Sequence, residues 1–184
     1  MKSERILAFS AVFISVLALV VSIWQGMVSR EHNRLSFTPY LQVSSRLTGN
    51  TDTGLYLENA GTGPAFIQSA IVSARGKSFD LADNQWSELF EHIGVEPLCF
   101  RNTWLRPGAA LRAEKEVDLI KITTANLPLP KCAIESLKFL TEKDAKLIIR
   151  YRSIYKEGYE LSEEFALKES DLGRLKGLIS SLKR

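Results

Sequence analysis

Histidine, cysteine and methionine are scarce in this chain, two of each among 184 residues, and each scarcity removes a class of chemistry. His32 and His92 lie far apart, with no Cys or His at ligand spacing beside either, so a zinc site has no donor set. Glu88 and Glu91 next to His92 are what a solvated helix face carries. No serine sits in a G-x-S-x-G elbow, and no order of Ser, His and Asp suggests a triad. Cys99 and Cys132 form neither a disulfide framework nor a metal cluster by their spacing. Flanked by apolar residues, they read as buried thiols, and a bridge follows only if the domain faces an oxidising compartment. A strong charge imbalance is also missing. The formal charge of +3 and pI near 8.9 suit an anionic headgroup surface but fall far short of a nucleic-acid-binding signature.

One stretch lacks charge, proline and glycine altogether. Residues 6–23, ILAFSAVFISVLALVVSI, are interrupted only by Ser10, Ser15 and Ser22. As a helix they cover roughly 27 Å, close to the hydrocarbon thickness of a bilayer. Lys2 and Arg5 precede the run, and Trp24 and Gln25 close it, an aromatic-then-polar exit. A cleavable signal peptide needs small residues after its core, and Ile23, Trp24 and Gln25 are large. The expectation is an uncleaved signal-anchor, single-pass in a bacterial cytoplasmic (inner) membrane. Lys2 and Arg5 are matched by Arg30 and Arg34 beyond the run, so basic flanks leave the side of the soluble domain open. Ala11 with Ser15 and Ala18 with Ser22 have the small-xxx-small spacing that permits self-association or pairing with another span.

Three segments follow: an anchor and juxtamembrane helix over residues 1–35, a β-sandwich-like domain over 36–165, and an amphipathic C-terminal helix or tail over 166–184. The collar, residues 24–35, continues the helix and keeps Met27, Val28 and Leu35 as an apolar side for the headgroup layer, until Ser36 and Pro39 end it. Alternation predicts strands over residues 40–47, 55–58 and 66–74 joined by Gly-rich and polar turns. Residues 83–94 read as a helix: Asp83 caps it, Trp86, Leu89, Phe90 and Ile93 share one face, His92 lies on the solvated face, and Gly94 ends it. Residues 109–122 read as one long strand, 123–130 as a loop carrying Pro128 and Pro130, and 134–140 as either a short helix or a strand. Residues 145–155 are the clearest strand, turning at Lys156, Glu157 and Gly158 into a partner over 159–165. The fold expected is all-β, an immunoglobulin-like or related two-sheet sandwich, with one inserted amphipathic helix behind the single membrane helix.

The run Arg30-Glu31-His32-Asn33-Arg34-Leu35-Ser36-Phe37-Thr38-Pro39-Tyr40-Leu41, the run Glu58-Asn59-Ala60-Gly61-Thr62-Gly63-Pro64-Ala65, and the hairpin of residues 151–159 resemble a pattern shared by uncharacterised bacterial membrane proteins. These have one N-terminal span, an EHNRLSxxP juxtamembrane motif and a small β-rich domain. The resemblance implies membrane anchoring, and no functional residue is carried over from it. Read physically, Gly61 and Gly63 supply a tight connection, Pro64 fixes the start of the next strand, and Asn59 caps the turn with its side chain. A phosphate cradle would need a helix after the glycines, and Phe66-Ile67-Gln68 is strand-like.

Candidate contact residues are few. Arg30, His32 and Arg34 stand in the collar. Arg150 and Arg152 share a strand face with Lys146, with Tyr159 across the turn, a basic and partly aromatic patch for an acidic partner or a lipid headgroup. No catalytic, cofactor or metal residues are assigned, since the acidic pairs Glu114 with Glu116 and Glu163 with Glu164 fit solvated strand edges. Besides the lipid bilayer, the partners implied are another membrane protein or a second copy. The function expected is an interaction or accessory module for another membrane-associated protein. The alternative is a membrane-tethered ligand-sensing domain or enzyme with a pocket between the sheet and the Trp86 helix.

Overall fold

A computed structural model describes residues 2–46, 48, 51–142 and 144–164, with side chains from residue 6 onward. The tail expected over residues 166–184 lies outside the described residues. Compact units divide after Phe37.

The first unit is a single helix, α1, Lys2–Ser36, 35 residues without a break. At 1.5 Å per residue it is about 52 Å long, well beyond the roughly 30 Å of hydrocarbon it can cross. It is a long apolar helix consistent with one membrane-spanning segment. The hydroxyls of Ser10, Ser15 and Ser22 donate to the carbonyls of Ile6, Ala11 and Ala18 at 2.9, 2.7 and 2.8 Å. Their polar hydrogens are thereby satisfied within the helix, which a lipid environment requires. The helix continues through Trp24 to Ser36, and Met27, Val28 and Leu35 are exposed on it.

The second unit is a β-rich two-sheet domain. The first sheet holds β1 (Leu41–Arg46), β2 (Gly54–Asn59), β7 (Lys115–Ile122) and β5 (Phe100–Asn102), in that spatial order. The second holds β4 (Lys77–Asp80), β3 (Ala65–Ala74), β8 (Lys146–Arg152) and β9 (Gly158–Glu164), with the short β6 (Ala110–Leu111) pairing the start of β3. All pairs are antiparallel. Alternation explains the burial. In β8, Leu147, Ile149 and Tyr151 are buried while Lys146, Arg150 and Arg152 are exposed, the period of two that lets one sheet face the core and the other water.

Two helices are inserted, not one. α2, Trp86–Ile93, buries Trp86, Leu89, Phe90 and Ile93, the face that spacing predicted, and Gly94 ends it at φ 82°. Asp83 does not cap it. The N-cap residue is Gln85, without a side-chain cap bond, because residues 81–84 form a turn first and the Gln85 side chain instead accepts the Asp80 N–H at 2.8 Å. His92 also departs from expectation: it is half-buried, its ring 5.5 Å from that of Phe79.

The second inserted helix, α3, Leu129–Leu140, resolves the ambiguous stretch and extends into the expected loop. Pro130 sits in its first turn, where the missing N–H has no intrahelical partner to lose. Residues 109–122 also differ from the single strand expected. Glu114, at φ 54°, turns the chain between β6 and β7, which belong to different sheets. A residue in the left-handed region breaks strand geometry, so the chain crosses from one layer to the other there.

Phe90 stacks on Phe100 with centroids 4.7 Å apart and meets Phe139 edge-on at 5.7 Å, joining α2, β5 and α3 in one core. Cys99 and Cys132 are bridged, Cα atoms 4.9 Å apart, which corrects the expectation of two thiols. The bridge ties α3 to the 3-10 turn Pro97–Cys99. Beside it, the nearly buried Glu135 carboxylate accepts the Glu96 N–H at 3.0 Å and the Lys138 ammonium at 2.7 Å.

Candidate functional site: the lead-in segment and the outer strand face

The best-organised polar cluster of the domain surrounds Asn59, the last residue of β2, which is 0% exposed. Its Oδ1 accepts the N–H groups of Tyr40 and Gly61, each at 3.1 Å. Its Nδ2 donates to the carbonyls of Gly63 at 2.8 Å and Leu111 at 3.1 Å. One amide therefore ties three segments: the lead-in strand residues 38–41, the turn after β2, and β6. A buried amide with both ends used in this way contributes fold specificity, because no partner can be replaced by water.

Gly61 completes the clamp. A Cβ there would lie 2.3 Å from the Tyr40 nitrogen and 2.4 Å from the Thr38 oxygen, so glycine is required by close backbone approach and not by an unusual φ. Tyr151 adds a third hold. Its hydroxyl accepts the Leu41 N–H at 3.3 Å, and its ring stacks on Tyr159 at 5.5 Å. Burial raises the Tyr151 phenol above its ordinary value, partly offset by the Leu41 hydrogen bond. Residues 38–41, the turn after β2 and Tyr151 thus meet at one point.

The sequence-predicted contact residues are only partly brought together. Arg30 and Arg34 lie one turn apart on α1, and Arg34 pairs with Glu31 at 3.1 Å. His32 faces another side, with Nδ1 3.5 Å from the Ser36 hydroxyl. On β8, Arg150 lies directly opposite Glu160 and pairs with it at 2.8 Å, while Lys146 lies opposite Glu164. Tyr159 is not on their face. The register sets it against Tyr151, on the inward side, because the five residues between the strands return the chain with that parity. Arg152, unlike Arg150 and Lys146 on the same strand, lies opposite no acid; it stands between Gly158 and Phe66 and holds no carboxylate among the described residues.

Two ligand sites can be weighed. The space between the sheets and α2 is filled: Trp86 and Phe90 are 2% exposed, and Trp86 donates its indole N–H to the Thr103 carbonyl. A shallow cavity of about 210 Å³ is lined by Thr51, Arg101, Lys121, Ile122, Thr123 and Thr124. Both of its cations are engaged, Arg101 with Asp118 at 2.7 Å and Lys121 with Asp52 at 2.8 Å. The Lys121 hydrogen bond also lowers the Asp52 carboxyl and holds the Lys121 ammonium up. Among the described residues no group of three or more His, Cys, Asp and Glu side chains could hold a metal ion.

No protein-family model matches the chain. No curated protein matches it, and neither does any solved structure.

Proposed function

We propose that this protein is a single-span bacterial inner-membrane protein whose β-domain is a binding or accessory module for another membrane-associated protein, displayed on the oxidising side. The observation that carries the reading is the clamp on residues 38–41. Only residues 37–40 separate the end of α1 from β1, and Asn59, Gly61 and Tyr151 hold that lead-in. A binding surface joined to its anchor by so short a lead-in stays near its membrane, which raises the effective concentration of a neighbour in the same bilayer.

The Cys99–Cys132 bridge supports the oxidising side, since such bonds persist in oxidising compartments and are rare in the cytosol. The strand order β1-β2-β7-β5 with β4-β3-β8-β9, apart from the short β6 on β3, supports an immunoglobulin-like reading, with A-B-E-D and C′-C-F-G as the equivalent sheets. We take the domain to be of that type, with kinship to the single-span β-domain proteins that its motifs resemble.

Cross-linking in intact cells followed by mild-detergent purification of the tagged protein should yield one membrane protein in stoichiometric amount. A monodisperse chain with no partner overturns the reading. For the side, a Ser162→Cys variant is expected to react with a membrane-impermeant maleimide in cells whose outer envelope is permeabilised. Reaction only after lysis would place the domain in the cytosol.

A further inference from the structure

We propose that the outer face of the second sheet around Phe66 is the docking surface of this module, and that it receives an acidic protein segment. The inference rests on the interaction-module reading and names its site and the chemistry of its partner.

The described arginines of the β-domain fall into two groups. Arg46, Arg75, Arg101 and Arg150 each hold a carboxylate, from Glu116, Glu142, Asp118 and Glu160 respectively. Arg106, Arg112 and Arg152 hold none among the described residues. The topology gathers these three. Phe66 pairs with Arg152 of β8 on one side and Ala110 of β6 on the other. Arg112 is the next outward position after Ala110, alternating with buried Leu111. Arg106 opens the turn whose Gly108 N–H binds the Ile67 carbonyl at 2.8 Å, one residue along β3 from Phe66.

Two aromatic rings are exposed among these cations, Phe66 at 36% and Trp104 at 46%. The Arg106 guanidinium lies 3.6 Å over the Trp104 ring, and Trp104 is itself anchored by its indole N–H on the Ala82 carbonyl. Stacking fixes the plane of the guanidinium while leaving its donors without an acceptor among the described residues, an arrangement suited to bidentate carboxylate binding. Two acids flank the three arginines: Glu157 accepts the Tyr159 hydroxyl at 3.1 Å, and Glu114 stands in the turn to β7, so the group keeps an excess of positive charge. Gathered cations repel one another, so an apposed anion is what makes their grouping favourable. Exposed aromatic rings interleaved with arginine are also the residues that dominate protein interfaces.

A protein is favoured over a lipid headgroup because the patch interleaves its arginines with the exposed Phe66 and Trp104 rings, the aromatic and arginine composition of protein interfaces.

The test places a photo-reactive benzoylphenylalanine at Phe66, and in a control at Ser44 on the outer face of the first sheet, in the full-length protein in its native membrane. The expected result is an adduct of one protein mass at Phe66, lost in the Arg106→Glu, Arg112→Glu, Arg152→Glu triple variant. Purified full-length protein should also bind an Asp/Glu-rich dodecapeptide by fluorescence anisotropy, with the single Arg152→Glu change weakening binding about tenfold or more. Should the triple variant fail to form its Cys99–Cys132 bond, the single variant carries the comparison. An adduct at Ser44 alone would overturn the site and leave the module reading standing. No adduct at either position would overturn both. A lipid adduct at Phe66, or a protein adduct indifferent to the charge reversals, would overturn the acidic protein partner.

Discussion

The side-chain oxygen of Asn59 accepts the backbone N–H of Tyr40 at 3.1 Å, at the end of the first strand pair where β1 begins and β2 finishes. Tyr40 precedes Leu41, which lies opposite Asn59 in the register, so this bond extends the pairing one step beyond the sheet. The same amide reaches Gly61, Gly63 and Leu111. Asn59→Ala would leave two N–H and two carbonyl groups short of a buried partner, and the expected loss of stability is about 3 kcal/mol or more. Urea denaturation followed by tryptophan fluorescence measures it, and a loss below about 1 kcal/mol would show that water replaces the amide.

Gly61→Ala should be severe for a different reason. Its new methyl group would fall within 2.3 to 2.7 Å of backbone atoms of Thr38, Pro39 and Tyr40, and backbone cannot step aside as a side-chain tip can. The paired control is Gly158→Ala, where nothing lies within 4 Å and the change should be near zero. Thermal midpoints of the two variants give the comparison.

Tyr151 gives the clamp a dependence on alkaline pH. Its phenol is raised by burial, so the native state keeps a proton that the unfolded chain releases. The contribution is therefore fully present below the ordinary phenol range near 10 and declines as pH rises through it toward the folded value. In a spectrophotometric titration Tyr151 should ionise later than an ordinary phenol. Tyr151→Phe should abolish the late step and cost about 1 kcal/mol at neutral pH, because the Leu41 N–H loses its acceptor.

Much of this was legible in the residues, and the exceptions have specific causes. The span, the buried face of α2 and the alternation in β8 each follow from periodicity in one local stretch. The helix α3 was hidden because Pro128 and Pro130 read as breakers, although proline is tolerated in a first turn. The break at Glu114 was invisible because glutamate is not a residue type that announces a positive φ. The parity of Tyr159 depended on a loop length that could be counted only once the strand ends were known. Asn59 was recognisable as a turn-capping residue. Its bonds to Tyr40 and Leu111 join parts of the chain that no local pattern connects.

The Cys99–Cys132 bridge closes a loop with a sequence separation of 33 residues. A loop-entropy treatment gives roughly 3–4 kcal/mol of stabilisation for a loop of that size. Both sulfurs are buried, so mild reductant should leave the folded protein intact, and denaturant should expose the bond to reduction. The Cys99→Ala, Cys132→Ala double variant is expected to unfold at lower urea by that amount. Free thiols in protein isolated under alkylating conditions would contradict both the bridge and the side of the membrane assigned from it.

The clamp also has a mechanical meaning. Force applied through the anchor reaches the β-domain along residues 37–40, so it loads the bonds of Thr38 and Tyr40 to the Gly63 and Asn59 cluster before it reaches any pair in the core. The hydrogen bonds that register the chain on its domain are then the first to yield under tension. A single-molecule pull from the N-terminus should show a small early release of a few residues ahead of the main rupture, a fuse that protects the sheets behind it.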